Sequence, residues 1–230
     1  IWKNLMTNEL KKRIITSIVL IAIVLNCLFI NNYSWLVLLV FISLICWLEF
    51  INLIKRIWRK KAIIILPTII SFAVLYLFLY SAYKIKVEES EKAILFILLV
   101  CMFSDIGGYV VGKSIGGKKL TKISPNKTIS GSIGSFLFSL FPIGIFSMLT
   151  IITEINLVPT NLNDQLIICL ILSLACQLGD LIISYFKRLA KIKDTGNILP
   201  GHGGMLDRID GIIFTVIIIP FLDKIIFWIV

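Results

Sequence analysis

The hydrophobic residues of this chain fall into long runs, with short polar and basic segments between them. A bilayer core of about 30 Å is crossed by ~20 mostly apolar residues in helical conformation. Runs of that order cover residues 14–30, 33–54, 62–82, 91–111, 132–153, 166–187 and 211–229, so the pattern predicts about seven transmembrane helices. The first run is short, and Asn31-Asn32 between it and the second suits the turn of a helical hairpin. The fourth is interrupted by Ser104-Asp105 and Gly107-Gly108, so its second half is expected to line a polar cavity. The segment 154–165, with Pro159 and several asparagines, reads as a plain extracytoplasmic connector.

Composition removes the soluble alternatives. Of 230 residues 58% are hydrophobic and 16% charged, with a mean hydropathy of +0.99, whereas soluble domains have about 45–50% apolar and about 25% charged residues. No soluble core in so short a chain buries this much apolar surface, so lipid is the solvent for most of it. The expected fold is an all-α, polytopic integral membrane helical bundle with cytoplasmic polar loops. Cys27, Cys46, Cys101, Cys169 and Cys176 all lie inside apolar stretches without a metal or redox spacing, and they read as small packed hydrophobes. The first apolar run lacks a small-residue cleavage site and reads as a span, not a signal peptide.

The net charge of +10 raises the possibility of nucleic acid, but its distribution argues against it. With the N-terminus in the cytoplasm, Lys3, Lys11, Lys12 and Arg13 fall on that side. So do Lys55, Arg56, Arg59, Lys60 and Lys61, then Lys113, Lys118, Lys119, Lys122 and Lys127, then Lys187, Arg188, Lys191, Lys193 and Arg208. Nineteen of the 23 basic residues thus share one side; Lys84, Lys86 and Lys92 fall opposite, and Lys224 lies near the end of the last run. This is the positive-inside pattern. It places both long polar loops, 113–131 and 188–210, in the cytoplasm, where nucleotides are.

Those loops carry the candidate chemistry. The first begins at Ser104-Asp105-Ile106-Gly107-Gly108-Tyr109 and continues through Gly112-Lys113, Gly116-Gly117-Lys118-Lys119 and Ser124-Pro125-Asn126-Lys127-Thr128. Glycines let a backbone approach phosphates closely, and lysines neutralise them. Asp105, Lys113, Lys119, Ser124 and Lys127 are therefore candidate substrate-binding residues. A basic interfacial loop with turn glycines is the plainer alternative, and the spacing of a nucleotide P-loop is absent.

Leading into the second loop, Asp180, Ser184 and Lys187 are four and three residues apart and share one face of a continuous helix. An acid inside an apolar helix, as Asp180 is, is costly unless paired, metal-bound or in a water-filled cavity. Asp207 and Asp210 also share a face if helical. Three carboxylates converging near the cytoplasmic surface make an oxygen site for Mg²⁺, with the nearby lysines and arginines as a phosphate clamp. Asp207 and Asp210 pairing with Arg208 and Lys193 at a helix start is the alternative. His202, the only histidine, reads equally as a turn residue between glycines. Glu49 lies in an apolar run ahead of a basic cluster, reads as snorkelling or pairing with Arg56, and falls outside the site.

The stretch from Ser184 to Asp210 resembles the signature of the phosphatidate cytidylyltransferase (CDP-diglyceride synthetase) family throughout, S-x-x-K-R-x4-K-D-x-G-x2-L-P-x-H-G-G-x-x-D-R-x-D. Ser-Asp-Ile-Gly-Gly-Tyr and Ser-Pro-Asn-Lys-Thr upstream resemble the family's second motif region, so the likeness covers about residues 95–229. The chain divides accordingly into N-terminal spans, 1–90, and a catalytic membrane region, 91–230, carrying the signature 184–210. The chain departs from the family in two places. Ile129, Ser130 and Gly131 stand where an aromatic, Glu and Gly are usual, and Gly211 stands where Ser is usual.

The resemblance implies transfer of the cytidylyl group of CTP to phosphatidic acid in the bilayer, giving CDP-diacylglycerol and pyrophosphate. It implies Mg²⁺ with K⁺ as a second cation, a homodimer, and a bacterial inner membrane with the active site on the cytoplasmic side. Carried over by position, Asp180, Asp207 and Asp210 form or support the metal site, with Lys193, Asp194 and His202 among the catalytic residues. Ser184, Lys127, Lys187, Arg188, Lys193 and Arg208 hold substrate. The rival readings are a CTP-dependent polyprenol or dolichol kinase and a non-catalytic lipid-binding or transport protein. A transporter places ionisable groups near the midplane of several helices, whereas here they crowd at one face.

Overall fold

The computed structural model describes residues 2–58, 60–121, 123–153 and 162–229. Its helices are α1 (Trp2–Ile30), α2 (Asn32–Ile57), α3 (Lys61–Glu88), α4 (Glu91–Ile115), α5 (Ile129–Phe138), α6 (Phe141–Thr153), α7 (Leu162–Leu189) and α8 (Leu206–Ile229). Among the described residues no strand forms, only isolated bridges at Lys119–Thr128 and Leu199–Gly203. Six spans are long and apolar enough to cross a membrane: Leu10–Ile30, Asn32–Ile57, Ala62–Glu88, Glu91–Ile115, Ile129–Leu149 and Leu162–Leu189. The chain is a multi-pass membrane protein. The seventh expected run falls in α8, and residues 154–161 of the expected connector lie outside the described residues.

Both faces of the spanning helices are apolar. On α2, Trp35, Leu39, Cys46 and Leu53 are buried, while Val37, Phe41, Leu44 and Leu48 on the opposite face are exposed. That is the pattern of a helix that packs on protein along one side and meets lipid along the other.

Contacts group the chain into two compact units, Ile1–Tyr83 with Phe186–Ile209, and Lys84–Tyr185 with Asp210–Val230. In the first unit α1 and α2 form the hairpin that Asn31 suggested. The Asn31 side chain accepts from Ser34 N at 2.6 Å, capping α2, and Ser34 Oγ donates to Cys27 O at 3.0 Å. Trp35 Nε1 donates to Ala82 O of α3 at 3.2 Å, and Phe50 of α2 meets Phe186 of α7 edge to face at 5.4 Å.

In the second unit α4 runs unbroken through Ser104–Gly108, and its glycine side is filled by α5. A Cβ on Gly134 would sit 2.5 Å from Val111 Cβ and 2.7 Å from Gly107 O, and one on Gly131 would sit 2.8 Å from Gly108 O. Gly107, Gly108, Gly112, Gly131 and Gly134 thus let two backbones approach each other, the small-residue packing of membrane helices, instead of approaching a phosphate. Ser104 is fully buried and shares a 2.8 Å hydrogen bond with Ser173 of α7. The expected fifth span is broken into α5 and α6. Pro142 has no N–H to continue the ladder, and the chain turns through Ser139 and Leu140 before α6 resumes.

Overpacking this seam has a measurable cost. Gly134→Ala is expected to destabilise the protein by about 1–3 kcal/mol. Gly144→Ala on α6, with open space around its Cβ, should be neutral or stabilising by up to about 1 kcal/mol. Thermal unfolding of the two variants in detergent checks the contrast.

Candidate active site

The segment between α7 and α8 is folded by its own sequence. Pro200 and Gly201 occupy the centre of a tight turn in which His202 N donates to Leu199 O at 2.9 Å. Gly201 has φ 74°, the left-handed value that position requires. The Leu199–Gly203 bridge closes the turn, and α8 begins at Leu206. Asp207, in the first turn of α8, is then surrounded by donors. Its Oδ1 accepts from Lys187 Nζ at 2.8 Å, and its Oδ2 accepts from Thr195 N at 2.7 Å and Gly204 N at 3.0 Å, with Thr195 Oγ1 also at 3.0 Å. Burial pushes the Asp207 carboxyl up. The Lys187 hydrogen bond and charge, with the Thr195 and Gly204 N–H groups, outweigh it and hold the group below the ordinary carboxylate value.

A second carboxylate enters the same segment from α2. Glu49 is buried; its Oε1 accepts from Met205 N at 3.0 Å and its Oε2 from Leu206 N and Thr195 Oγ1, both at 2.9 Å. Glu49 thus binds the start of α8, where the sequence suggested snorkelling or pairing with Arg56. The signal was present in the sequence, because the argument applied to Asp180, an acid inside an apolar run, applies equally to Glu49. Thr195 was missed as well, being a variable position of the signature.

In the second unit the charged centre is Lys127 and Asp180. Ser124-Pro125-Asn126-Lys127 forms a turn, with Lys127 N donating to Ser124 O at 3.1 Å and Leu120 N to Lys127 O at 2.8 Å. Thr128 caps α5 by accepting from Gly131 N at 3.0 Å. The turn delivers Lys127 Nζ onto Asp180 Oδ2 in an ion pair about one-third exposed, while Ser184 Oγ donates to Asp180 Oδ1 at 3.1 Å, as their shared helix face requires. Asp105 on α4 is within electrostatic reach of both Asp180 and Lys127. Gly179 of α7 packs on Asp210 O and Gly211 of α8 on Cys176, so backbone closeness brings Asp210 against α7.

Other candidates are placed differently. Lys113 is exposed and lies over the Tyr109 ring, with its Nζ 3.3 Å from the Tyr109 hydroxyl. Lys119, Arg188, Lys193 and Asp194 are exposed, and Ser124 serves the turn. Arg208 takes neither aspartate; its Nε and Nη2 donate to His202 O at 3.1 and 2.6 Å. His202 Nε2 lies 3.2 Å from Ser17 Oγ of α1, a turn-stabilising contact, and its Nδ1 is buried with no partner among the described residues.

A family model described as the cytidylyltransferase family matches residues 58–226. The chain belongs to that family. It is 39% identical over 158 residues to the phosphatidate cytidylyltransferase of Bacillus subtilis (strain 168), covering 66% of this chain and 55% of that protein. Over 137 residues it is 42% identical to the enzyme of that name from Staphylococcus saprophyticus, covering 59% and 49% of the two. With that of Staphylococcus haemolyticus the identity is 44% over 132 residues, covering 56% and 47%. This cytidylyltransferase-family chain spans about half the length of the curated relatives it matches.

A hard cation such as Mg²⁺ takes oxygen ligands. Among the described residues no three Asp, Glu, His or Cys side chains are gathered into a metal-holding group. Asp207 has both oxygens filled by donors of its own chain. Asp180 fits better, because its oxygens face one hydroxyl and the ammonium of Lys127, a positive charge already standing in a partly exposed place. The two lysine–aspartate pairs therefore differ in kind. Lys187 and Asp207 are 13% and 5% exposed, so Lys187→Met, which strands a buried charge, should cost about 3–5 kcal/mol of stability. Lys127→Met should cost about 0–1 kcal/mol, because its pair is screened by solvent. Unfolding of each variant by heat or detergent titration distinguishes them.

Proposed function

We propose that this chain transfers the cytidylyl group of CTP to phosphatidic acid, forming CDP-diacylglycerol and releasing pyrophosphate. The observation that carries the reading is that the 184–210 signature folds around Asp207 with Lys187 on its carboxylate, as Lys127 lies on Asp180. These are ammonium groups set against acids, in segments rich in further lysines. The relatives bearing the name phosphatidate cytidylyltransferase support it.

The chemistry asks little covalent work of the protein. A phosphatidate oxygen, already ionised near neutral pH, attacks the α-phosphorus of CTP. The bond from that phosphorus to the β-phosphate oxygen breaks, and pyrophosphate carries away the electron pair. No strong general base is needed. What must be met is the charge spread between the α-phosphate and the leaving group, and what must be set is the line of attack. Lys127, Lys187, Arg188, Lys193 and Arg208 bind phosphate oxygens, with Lys127 exchanging Asp180 for substrate. Asp180 and Asp210 hold Mg²⁺ with Asp207 in support, and bound Mg²⁺ supplies charge neutralisation of the phosphates. By the charge asymmetry of the loops the site faces the cytoplasm of a bacterial inner membrane, where CTP arrives from water and lipid from the bilayer. K⁺ as a second cation and a homodimer complete the proposal.

The test uses membranes containing the protein, phosphatidic acid, Mg²⁺ and CTP labelled at the α- or the γ-phosphate. Label from the α position should enter the lipid fraction and vanish in Asp210→Asn. Label from the γ position would identify a lipid kinase, and none from either position would leave a non-catalytic membrane protein.

A further inference from the structure

The family match begins at residue 58, so Glu49 lies outside it, yet the Glu49 carboxylate is hydrogen-bonded to the signature loop. Three donors of that loop converge on its carboxylate: Met205 N, Leu206 N and Thr195 Oγ1. Two signature glycines make room for it. A Cβ on Gly196 would lie 2.6 Å from Glu49 Oε1, and one on Gly204 would lie 2.5 Å from Oε2. Phe50, the next residue, fixes this stretch of α2 against Phe186 of α7. A carboxylate replacing water at the N–H groups of a helix start is favoured by those unpaired donors and by the helix dipole.

Thr195 links the two acids. Its hydroxyl lies 2.9 Å from Glu49 Oε2 and 3.0 Å from Asp207 Oδ2, while its N–H donates to Asp207 Oδ2 at 2.7 Å. One hydroxyl proton serves two carboxylates, so the position of either acid is felt by the other. We infer that Glu49 is a positioning residue for cytidylyl transfer, holding Asp207 and the start of α8 in register through Thr195 and the Met205 and Leu206 N–H groups. The catalytic part of this inference rests on the activity proposed above; the positioning part does not.

Two readouts on the full chain in lipid nanodiscs separate these parts: hydrogen exchange across residues 195–207, and steady-state cytidylyl transfer. Glu49→Gln places an amide N–H₂ where backbone donors need an acceptor, so exchange protection at Met205 and Leu206 should fall by about tenfold or more. Acting through Thr195 and the start of α8, Glu49 should lower kcat about 10–100-fold when replaced while KM for CTP moves less than about threefold. Thr195→Val should lose kcat similarly, Thr195→Ser should retain it, and the double variant Glu49→Gln/Thr195→Val should be no worse than the stronger single change. Wild-type kcat and protection in Glu49→Gln overturn the inference, as does protection lost equally along α2 and α3, which would mark a general packing role. If Glu49→Gln does not fold, Thr195→Val decides alone, and full activity in it overturns the inference. If the wild-type chain transfers no cytidylyl group, the activity proposal fails while exchange protection still decides the role of Glu49.

Discussion

A carboxylate inside an apolar helical chain has only the protein's own donors to replace the water it has lost, and the segment between α7 and α8 is built around that requirement. Asp207 takes an ammonium and two backbone N–H groups, and Glu49 takes two N–H groups and a hydroxyl. Three of those N–H groups, of Gly204, Met205 and Leu206, follow the turn at Leu199–His202, which reverses the chain ahead of α8. The turn, the glycines and the helix start are therefore conditions for the two acids, and the acids in turn fill donors that a buried helix start would leave empty.

Asp180 shows the opposite solution. Its partner Lys127 arrives on a turn between two helices that are themselves held close by glycines, and the pair stays partly open to water. Open pairs contribute little to stability and can be exchanged for other charges at little cost. A closed acid and an open acid suit different tasks, fixed architecture for the first and ligand exchange for the second.

The spans were legible because apolar length is a one-dimensional property. The runs at 33–54, 62–82, 91–111 and 166–187 each lie within a single helix. The break within 132–153 falls at Ser139 and Leu140, just ahead of Pro142, and leaves run length unchanged. Partners were less legible, because they are set by three-dimensional proximity. Glycines of the first motif look alike in sequence whether they admit a phosphate or a helix, and only the clearance at Gly134 and Gly131 shows that they admit a helix. Lys127 and Asp180 were each legible as charged candidates, but their pairing was not, being separated by 53 positions of chain. Glu49 was set aside although the physical argument that selected Asp180 covered it, because no motif drew attention to it.

The two departures from the usual family pattern are local exchanges with their neighbours. Ser130 donates to Gly116 O, with Thr128 Oγ1 3.0 Å from Ser130 Oγ, and Thr128 accepts from Gly131 N. These bonds run in one consistent direction if Thr128 donates to Ser130, and they tie the end of α4 to the start of α5. An ionised acid at 130 has no proton to give to a carbonyl, so the hydroxyl closes the loop in a way that the usual glutamate does not. At Gly211 a Cβ would lie 2.6 Å from Cys176 Sγ and 3.0 Å from Cys176 O. The serine usual at this position has no space while Cys176 stands opposite it. The thiol and the glycine are thus one packing unit, and the close crossing they permit holds Asp210 beside α7.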